Sequence, residues 1–291
     1  MAEVVLDEPA TGAPPASPPV PQGERATRGR RTVRWVALAY VAVLVLVPLG
    51  VITWRAFEPG LAAFWDAISS EQAVTAFRLT LEVALVSVLL GTLFGVGLGL
   101  LLVRFRFPGR RLLGVLADLP IAVSPIVAGL ALVLVYGRNG WFGPALESAG
   151  IQVVYAVPGM ILATTFVSLP LVLREVVPVL EEAGTDPEQA ARVLGAGSWT
   201  TFRRITLPTL RPALTYGVVL ALARAVGEFG AVAVVSGNVS GSGQTQTVTL
   251  VIAERITQLE PGAFPLAFVL ILVTVAALLV AARLRRKDVS A

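Results

Sequence analysis

Leu79-Thr-Leu-Glu-Val-Ala-Leu-Val-Ser-Val-Leu-Leu-Gly-Thr-Leu-Phe-Gly-Val-Gly-Leu-Gly-Leu-Leu-Leu-Val103 contains a single charged residue, Glu82. Wound as an α-helix at roughly 1.5 Å per residue, it reaches about 37 Å. That is enough to cross the roughly 30 Å of hydrocarbon in a bilayer. Apolar stretches of comparable length lie on either side of it, at 33–54, 112–136, 157–178, 212–236 and 263–282. The implied fold class is all-α, a polytopic membrane protein with six transmembrane helices. The fourth stretch is the least regular, because Pro158, Pro170 and Pro178 bear on it. Within the quoted run, Gly91, Gly95 and Gly99 recur every fourth residue and form a groove that another helix can approach closely. That groove suits either a contact inside the bundle or a subunit interface.

Composition agrees with a bilayer environment and removes several kinds of chemistry. The chain is 55% apolar and 14% charged, with a mean hydropathy of +0.78, outside the range of ordinary soluble domains. It has no Cys and no His, which excludes disulfides, thiol nucleophiles, imidazole bases and the usual zinc or haem ligands. Its single Lys is Lys287, near the C-terminus. A phosphate-binding loop for ATP needs a Lys beside its glycine-rich turn, so the chain cannot hydrolyse ATP and is read as no enzyme. It binds no cofactor by this reading.

Charge placement orients the spans. Of the 23 Lys and Arg residues, Arg55, Arg78, Arg138 and Arg255 fall outside or at the outer boundary, and Arg224 falls within the fifth span. The others lie on the side that holds both termini, which the positive-inside rule makes cytoplasmic. Basic charge is then a topology signal, and the pI near 10.1 requires no nucleic acid. Residues 1–32 contain Pro9, Pro14, Pro15, Pro18, Pro19 and Pro21 among small residues, a composition that predicts a disordered cytoplasmic tail. An acidic, Pro-rich leader of this length does not fit a signal peptide. The membrane domain is placed at 33–283, with a polar insert at about 179–211 and a basic tail at 284–291.

The insert contains Glu188-Gln-Ala-Ala-Arg-Val-Leu-Gly-Ala-Gly-Ser-Trp-Thr-Thr-Phe-Arg-Arg-Ile-Thr-Leu-Pro208. Asp186 as N-cap, Pro187 at the first helical position and Gln189 three residues after the cap predict a helix start. Glu188 suits the positive end of the helix dipole. Gly195 and Gly197 are available to end the helix in left-handed geometry, and Ser198 to cap a second helix through about Arg204. Ala190 and Ala191 leave room for another surface, and Leu194 lies one turn from Ala190 on the same face. Pro208 and Pro212 are expected to break the chain before the fifth span.

This insert resembles the EAA loop by which the membrane subunit of a bacterial ABC importer grips its ATPase. The family pattern runs Glu-Ala-Ala, three residues, Gly, nine residues, Ile-x-Leu-Pro; here Ala190, Ala191, Gly195, Ile205, Leu207 and Pro208 match. Gln189 stands at the Glu position, with Glu188 one residue earlier. Asp118-Leu-Pro-Ile-Ala-Val-Ser-Pro125, Ala225-Val-Gly-Glu-Phe-Gly-Ala-Val-Ala-Val-Val-Ser-Gly-Asn238 and Gln244-Thr-Gln-Thr-Val-Thr-Leu250 are similar to the W-type permease subunits of sulfate/thiosulfate importers. The resemblance covers roughly 33–285. It implies a type I importer permease in a bacterial plasma membrane, carrying sulfate, with Glu188, Gln189, Leu194 and the matching residues as the ATPase-coupling site. It also implies partners: a cytoplasmic ABC ATPase dimer that holds ATP and Mg, a homologous T-type permease, and an extracytoplasmic sulfate-binding protein. A molybdate or tungstate permease has the same architecture, and an ATPase-independent anion channel or transporter is the reading from another class.

Arg224 and Glu228 are read as sharing a face of the fifth span, four residues apart. Ionisable residues at such depth are functional candidates: either the guanidinium lines an oxyanion path, or the pair neutralises itself between helices. Asp118 is read as a cap or interfacial residue where the third span starts, with Pro120 and Pro125 able to kink that helix. Gln244, Thr245, Gln246 and Thr247 fall in an outer loop, where they could meet a delivery protein, line the outer vestibule or form an ordinary polar loop.

Overall fold

A computed structural model describes residues 24–238 and 245–289. The first 23 residues of the expected tail, the last two of the basic tail, and Gln244 lie outside the described residues. All regular elements among the described residues are helical.

The first compact unit runs to Gly50 and contains most of α1, Glu24–Phe57; the second begins at Val51. The α1 helix starts ahead of the expected edge at residue 33. Arg and Ala are good helix formers, and extending an existing helix costs far less than nucleating one, so the basic flank winds onto the apolar span.

In the second unit, α2 (Leu61–Ser69) leads into α3 (Glu71–Arg104), an uninterrupted helix with no proline. The third span bends at Pro125, one of the two prolines expected to be able to kink it, and the bend is a full break. It is two helices, α4 (Arg110–Ala122) and α5 (Pro125–Tyr136), bent by 115° at their junction. Pro125 lacks an N–H and disfavours helical geometry in the residue before it. Val123 and Ser124 are accordingly extended, at ψ 139° and 134°. Asp118 therefore sits inside α4, where it does not cap a helix start.

After α6 (Gly143–Ser148), α7 (Val157–Ala183) forms the fourth span despite Pro170 and Pro178. Three short segments follow: α8 (Asp186–Val193), α9 (Ser198–Thr201) and a π-turn, Phe202–Thr206. The π-turn passes into α10 (Leu207–Val226), so helix is continuous from Ser198 to Val226. Pro208 and Pro212 thus lie within the helix they were expected to interrupt. The wider turn explains this: Leu207 N–H reaches back five residues to the Phe202 carbonyl, relieving the crowding that a proline imposes one turn upstream. The fifth span instead breaks after Val226 and resumes as α11 (Gly230–Val235); α12 (Val248–Thr257) and α13 (Ala263–Val289) complete the unit.

Close packing joins α3 to α7. A Cβ added at Gly95 would stand 3.1 Å from Val172 Cγ1, and one at Gly99 2.8 Å from Val176 Cγ1. The glycine groove is filled from within the chain by valine side chains of α7, so van der Waals contact does the work that the hydrophobic effect does in water. Ser87 Oγ adds a hydrogen bond to the Ile161 carbonyl at 3.0 Å. Val172, Val176 and Leu180 of α7 continue this core against Leu210, Ala221 and Ala225 of α10.

The opposite end of α3 from Arg104 is tied into a polar knot. Gln246 Nε2 donates to Glu254 at 2.6 Å and to Asn238 at 3.2 Å, and its Oε1 accepts from Gln72. Arg255 donates to Ser70 Oγ and Gln72 Oε1, each at 3.2 Å. Thr245, Gln246 and Thr247 are all buried. Their polar groups are drawn into the fold, unlike those of an ordinary exposed polar loop.

Candidate functional site

Helix α8 stands at the end of the bundle where α3 and α7 finish. It starts one residue earlier than its capping signals suggested: Thr185 occupies the cap position, and Pro187 lies in the first turn. Gln189 Nε2 donates to Thr185 Oγ1 at 2.8 Å, a bond confined to the exposed side. The C-terminus is a Schellman motif. Ala196 N–H donates to the Ala191 carbonyl and Gly195 N–H to the Arg192 carbonyl, both at 2.9 Å. Gly195 has φ +85°, a left-handed conformation that costs any L-side chain. Gly197 has φ −67° and serves as the position before α9.

The segment has two faces with different tasks. Ala190, Val193 and Leu194 point outward, Leu194 being 87% exposed. Two apolar side chains this exposed on a polar helix offer a surface for another protein. Glu188 and Ala191 face inward and are buried. Ile205, Leu207 and Pro208 are half-buried behind the helix, with Ile205 lining a crevice shared with Glu188, Pro187 and Leu180.

Glu188 is the anchor. Arg104 Nε, at the last residue of α3, lies 3.2 and 3.1 Å from its two carboxylate oxygens. Thr206 Oγ1, in the π-turn, donates to Glu188 Oε1 at 2.9 Å. Arg104 Nη1 also donates to the Leu180 carbonyl of α7 at 2.9 Å. The Arg104 and Glu188 side chains are only 12% and 11% exposed, so this charge pair is substantially removed from water and satisfied on several sides. One carboxylate thereby fastens α8 to α3, α7 and the start of the fifth span. Neither Arg104 nor Thr206 was among the expected site residues; a link between positions so distant in sequence leaves no local signal.

A family model described as the binding-protein-dependent transport system inner membrane component matches residues 87–288. The chain belongs to this family. It is 49% identical over 225 residues to a sulfate transport system permease protein CysW of Synechococcus elongatus, covering 77% of this chain and 78% of that one. It is 46% identical to the CysW protein of Escherichia coli, covering 71% of each. Identity is 39% to a sulfate transport system permease protein CysT of Escherichia coli, covering 81% of this chain and 84% of the other. Among solved structures, a bacterial ABC transporter involved in import of the acidic polysaccharide alginate superposes with a TM-score of 0.71 at 18% identity, over 91% of this chain and 99% of that one. That likeness speaks for the fold.

In this inner membrane component the other expected pair, Arg224 and Glu228, does not share a continuous helix. Arg224 belongs to α10, whereas Glu228 lies in the break before α11. Arg224 Nη1 still approaches Glu228 Oε2 at 2.6 Å, although that oxygen makes no aligned hydrogen bond, so the contact is ionic. Glu228 Oε1 accepts from Ala231 N–H at 3.0 Å and the Glu228 carbonyl from Thr249 Oγ1 at 2.8 Å. Glu228 thus holds α11 and α12 to the break. Its side chain is 2% exposed, against 38% for Arg224.

Proposed function

We propose that this chain is the membrane-spanning permease subunit of an ATP-driven importer that carries sulfate into the cytoplasm. The observation that carries this reading is α8: a short helix with an exposed apolar face, capped at its free end and fastened by Glu188 to three parts of the bundle. A surface loop resting on lipid has no need of a buried ion pair behind it. A helix that receives force from another protein does. The relatives named as sulfate permeases, at 46–49% identity, support sulfate as the cargo.

The ATPase partner seats on Ala190, Val193 and Leu194, and holds the ATP and Mg. Its closure displaces α8, and the anchor passes the displacement to α3, α7 and α10. Both termini and α8 lie on the cytoplasmic side, where the Arg-rich ends of the spans gather. A second, T-type permease completes the pore, and an extracytoplasmic binding protein delivers the anion at the end of α3 marked by the polar knot. Arg224 lies along the path, with Glu228 holding it so that an oxyanion is passed on and not retained.

Sulfate-dependent ATP hydrolysis by the purified complex, with and without its binding protein, tests this. Stimulation by sulfate is expected. Stimulation by molybdate alone would reassign the cargo, and sulfate uptake surviving removal of the ATPase would overturn the class.

A further inference from the structure

Helices α5 and α11 are half-spans packed on each other through glycine. A Cβ added at Gly129 of α5 would stand 2.8 Å from the Ala231 carbonyl oxygen, and one at Gly230 of α11 3.0 Å from Pro125 Cβ. Contact this close between backbones makes the two helices one packed body. Each is joined to the rest of its span by a break. Val123 and Ser124 are extended ahead of α5, and Gly227 to Phe229 lead into α11. The contact of Gly230 with Pro125 sets the two breaks side by side. Element-terminal residues that absorb backbone rotation are where hinged units turn, so the adjacent breaks give the α5–α11 body a common axis at one end.

The other end of α11 is held by a strained residue. Tyr155, between α6 and α7, has φ +61°, a left-handed conformation rare for a bulky side chain. Its N–H donates to the Val235 carbonyl, at the last residue of α11, at 2.7 Å. Its ring lies on Gly237, also left-handed at φ +73°, where an added Cβ would meet Tyr155 Cδ1 at 2.9 Å. Strain of this kind persists only while its surroundings hold it, and it gathers at switches. Between the breaks and Tyr155, Val232 and Val235 of α11 are buried in a cluster shared with Met160 and Val167 of α7. A close-packed apolar contact is closed or parted and does not stretch.

We infer that α5 and α11 turn together about the paired breaks as the outer gate of the permease, and that Tyr155 is the catch that holds this gate shut. This rests on the reading of the chain as an importer permease. It adds which segment parts and which residue must let go. Glu228, at the break, accepts from Ala231 N–H of the turning body and meets Arg224 of α10, so the position of the gate reaches the charge assigned to the path.

A Cβ at Gly237 lies 3.2 Å from Tyr155 Cβ, close to the roughly 3.5–4.5 Å of a disulfide, and the chain has no Cys of its own. Tyr155→Cys combined with Gly237→Cys therefore staples the catch. The full complex, in proteoliposomes with its binding protein, is assayed for sulfate uptake after oxidation and again after reduction. Oxidation is expected to lower uptake at least tenfold and reduction to restore it. Uptake by the oxidised form within twofold of the reduced form, with the disulfide confirmed by mass spectrometry, would overturn the catch. A second assay needs no transport. Tyr155→Gly accepts the left-handed backbone but lacks the ring, and Val235→Cys places a thiol at a fully buried site of the gate. A membrane-impermeant maleimide is expected to react with that thiol at least fivefold faster when Tyr155→Gly is present. A thiol at Val251, equally buried but outside the gate, should react no faster. Equal rates at 235, or the same acceleration at 251, would overturn the catch. Absence of ATP-dependent sulfate uptake by the parent complex would sink the function reading instead, and the maleimide rates would still decide the gate.

Discussion

Arg104 and Glu188 meet through Nε at 3.1 and 3.2 Å from the two carboxylate oxygens, although 84 positions separate them in the chain. Removing one member strands the other in a poorly hydrated site. Arg104→Gln should therefore destabilise the α8 region by about 3–5 kcal/mol, the usual cost of breaking a buried pair. Hydrogen exchange over 184–206 is expected to accelerate while exchange at the Gln72 end of α3 stays as it was. The reversed pair, Arg104→Glu with Glu188→Arg, should recover part of the protection.

Gly195 and Gly197 differ in a way a single-residue experiment can read. Gly195→Ala places a side chain at φ +85°, at a cost of about 1–2 kcal/mol, and loosens the Schellman end. Gly197→Ala, at φ −67° with open space around it, should be neutral. Co-purification of the ATPase at rising salt should fall for the first variant and not for the second.

Ala190→Trp puts a large ring on the outward face of α8. ATPase association and transport should be lost while membrane insertion is kept. Normal uptake by this variant would remove α8 from the coupling role.

Along α3, Gly99 and Gly97 are the sharper comparison. A Cβ at Gly99 runs into Val176 at 2.8 Å, whereas at Gly97 nothing lies within 4 Å. Gly99→Leu should cost about 1–3 kcal/mol through overpacking, seen as a lower unfolding temperature in detergent. Gly97→Leu should leave it unchanged.

For the fifth span, Glu228→Ala removes both the bond to Ala231 N–H and the partner of Arg224. Loss of assembled complex is the expected result. Arg224→Lys keeps the charge, so the complex should assemble with altered sulfate uptake kinetics.

Much of this was legible in the residues, and the exceptions share a cause. Six apolar runs separated by Arg-rich loops predict the spans, because length and hydropathy are local properties. The short helix α8 was legible for the same reason: Pro187, Glu188 and Gly195 act within one or two turns. The breaks at 123–124 and 227–229 were harder. An apolar run reads the same whether straight or bent, and only the Ser124-Pro125 step and the flanking Gly227 and Gly230 hint at the bends. The prolines misled in the other direction, since the π-turn that absorbs Pro208 leaves no mark in composition. Glu188 showed only as an acidic residue in a first turn. Its burial depends on Arg104 and Thr206, which arrive from elsewhere in the fold.

The unbroken length of α3 has a thermodynamic consequence. One end is gripped through Arg104 by α8, the segment proposed to meet an ATPase, and the other enters the polar knot through Gln72. If both ends report on one two-state position of the helix, their influence must be reciprocal. Whatever factor an engaged delivery protein contributes to nucleotide-driven closure, bound nucleotide must return to the affinity for that delivery protein, in the same magnitude and sign.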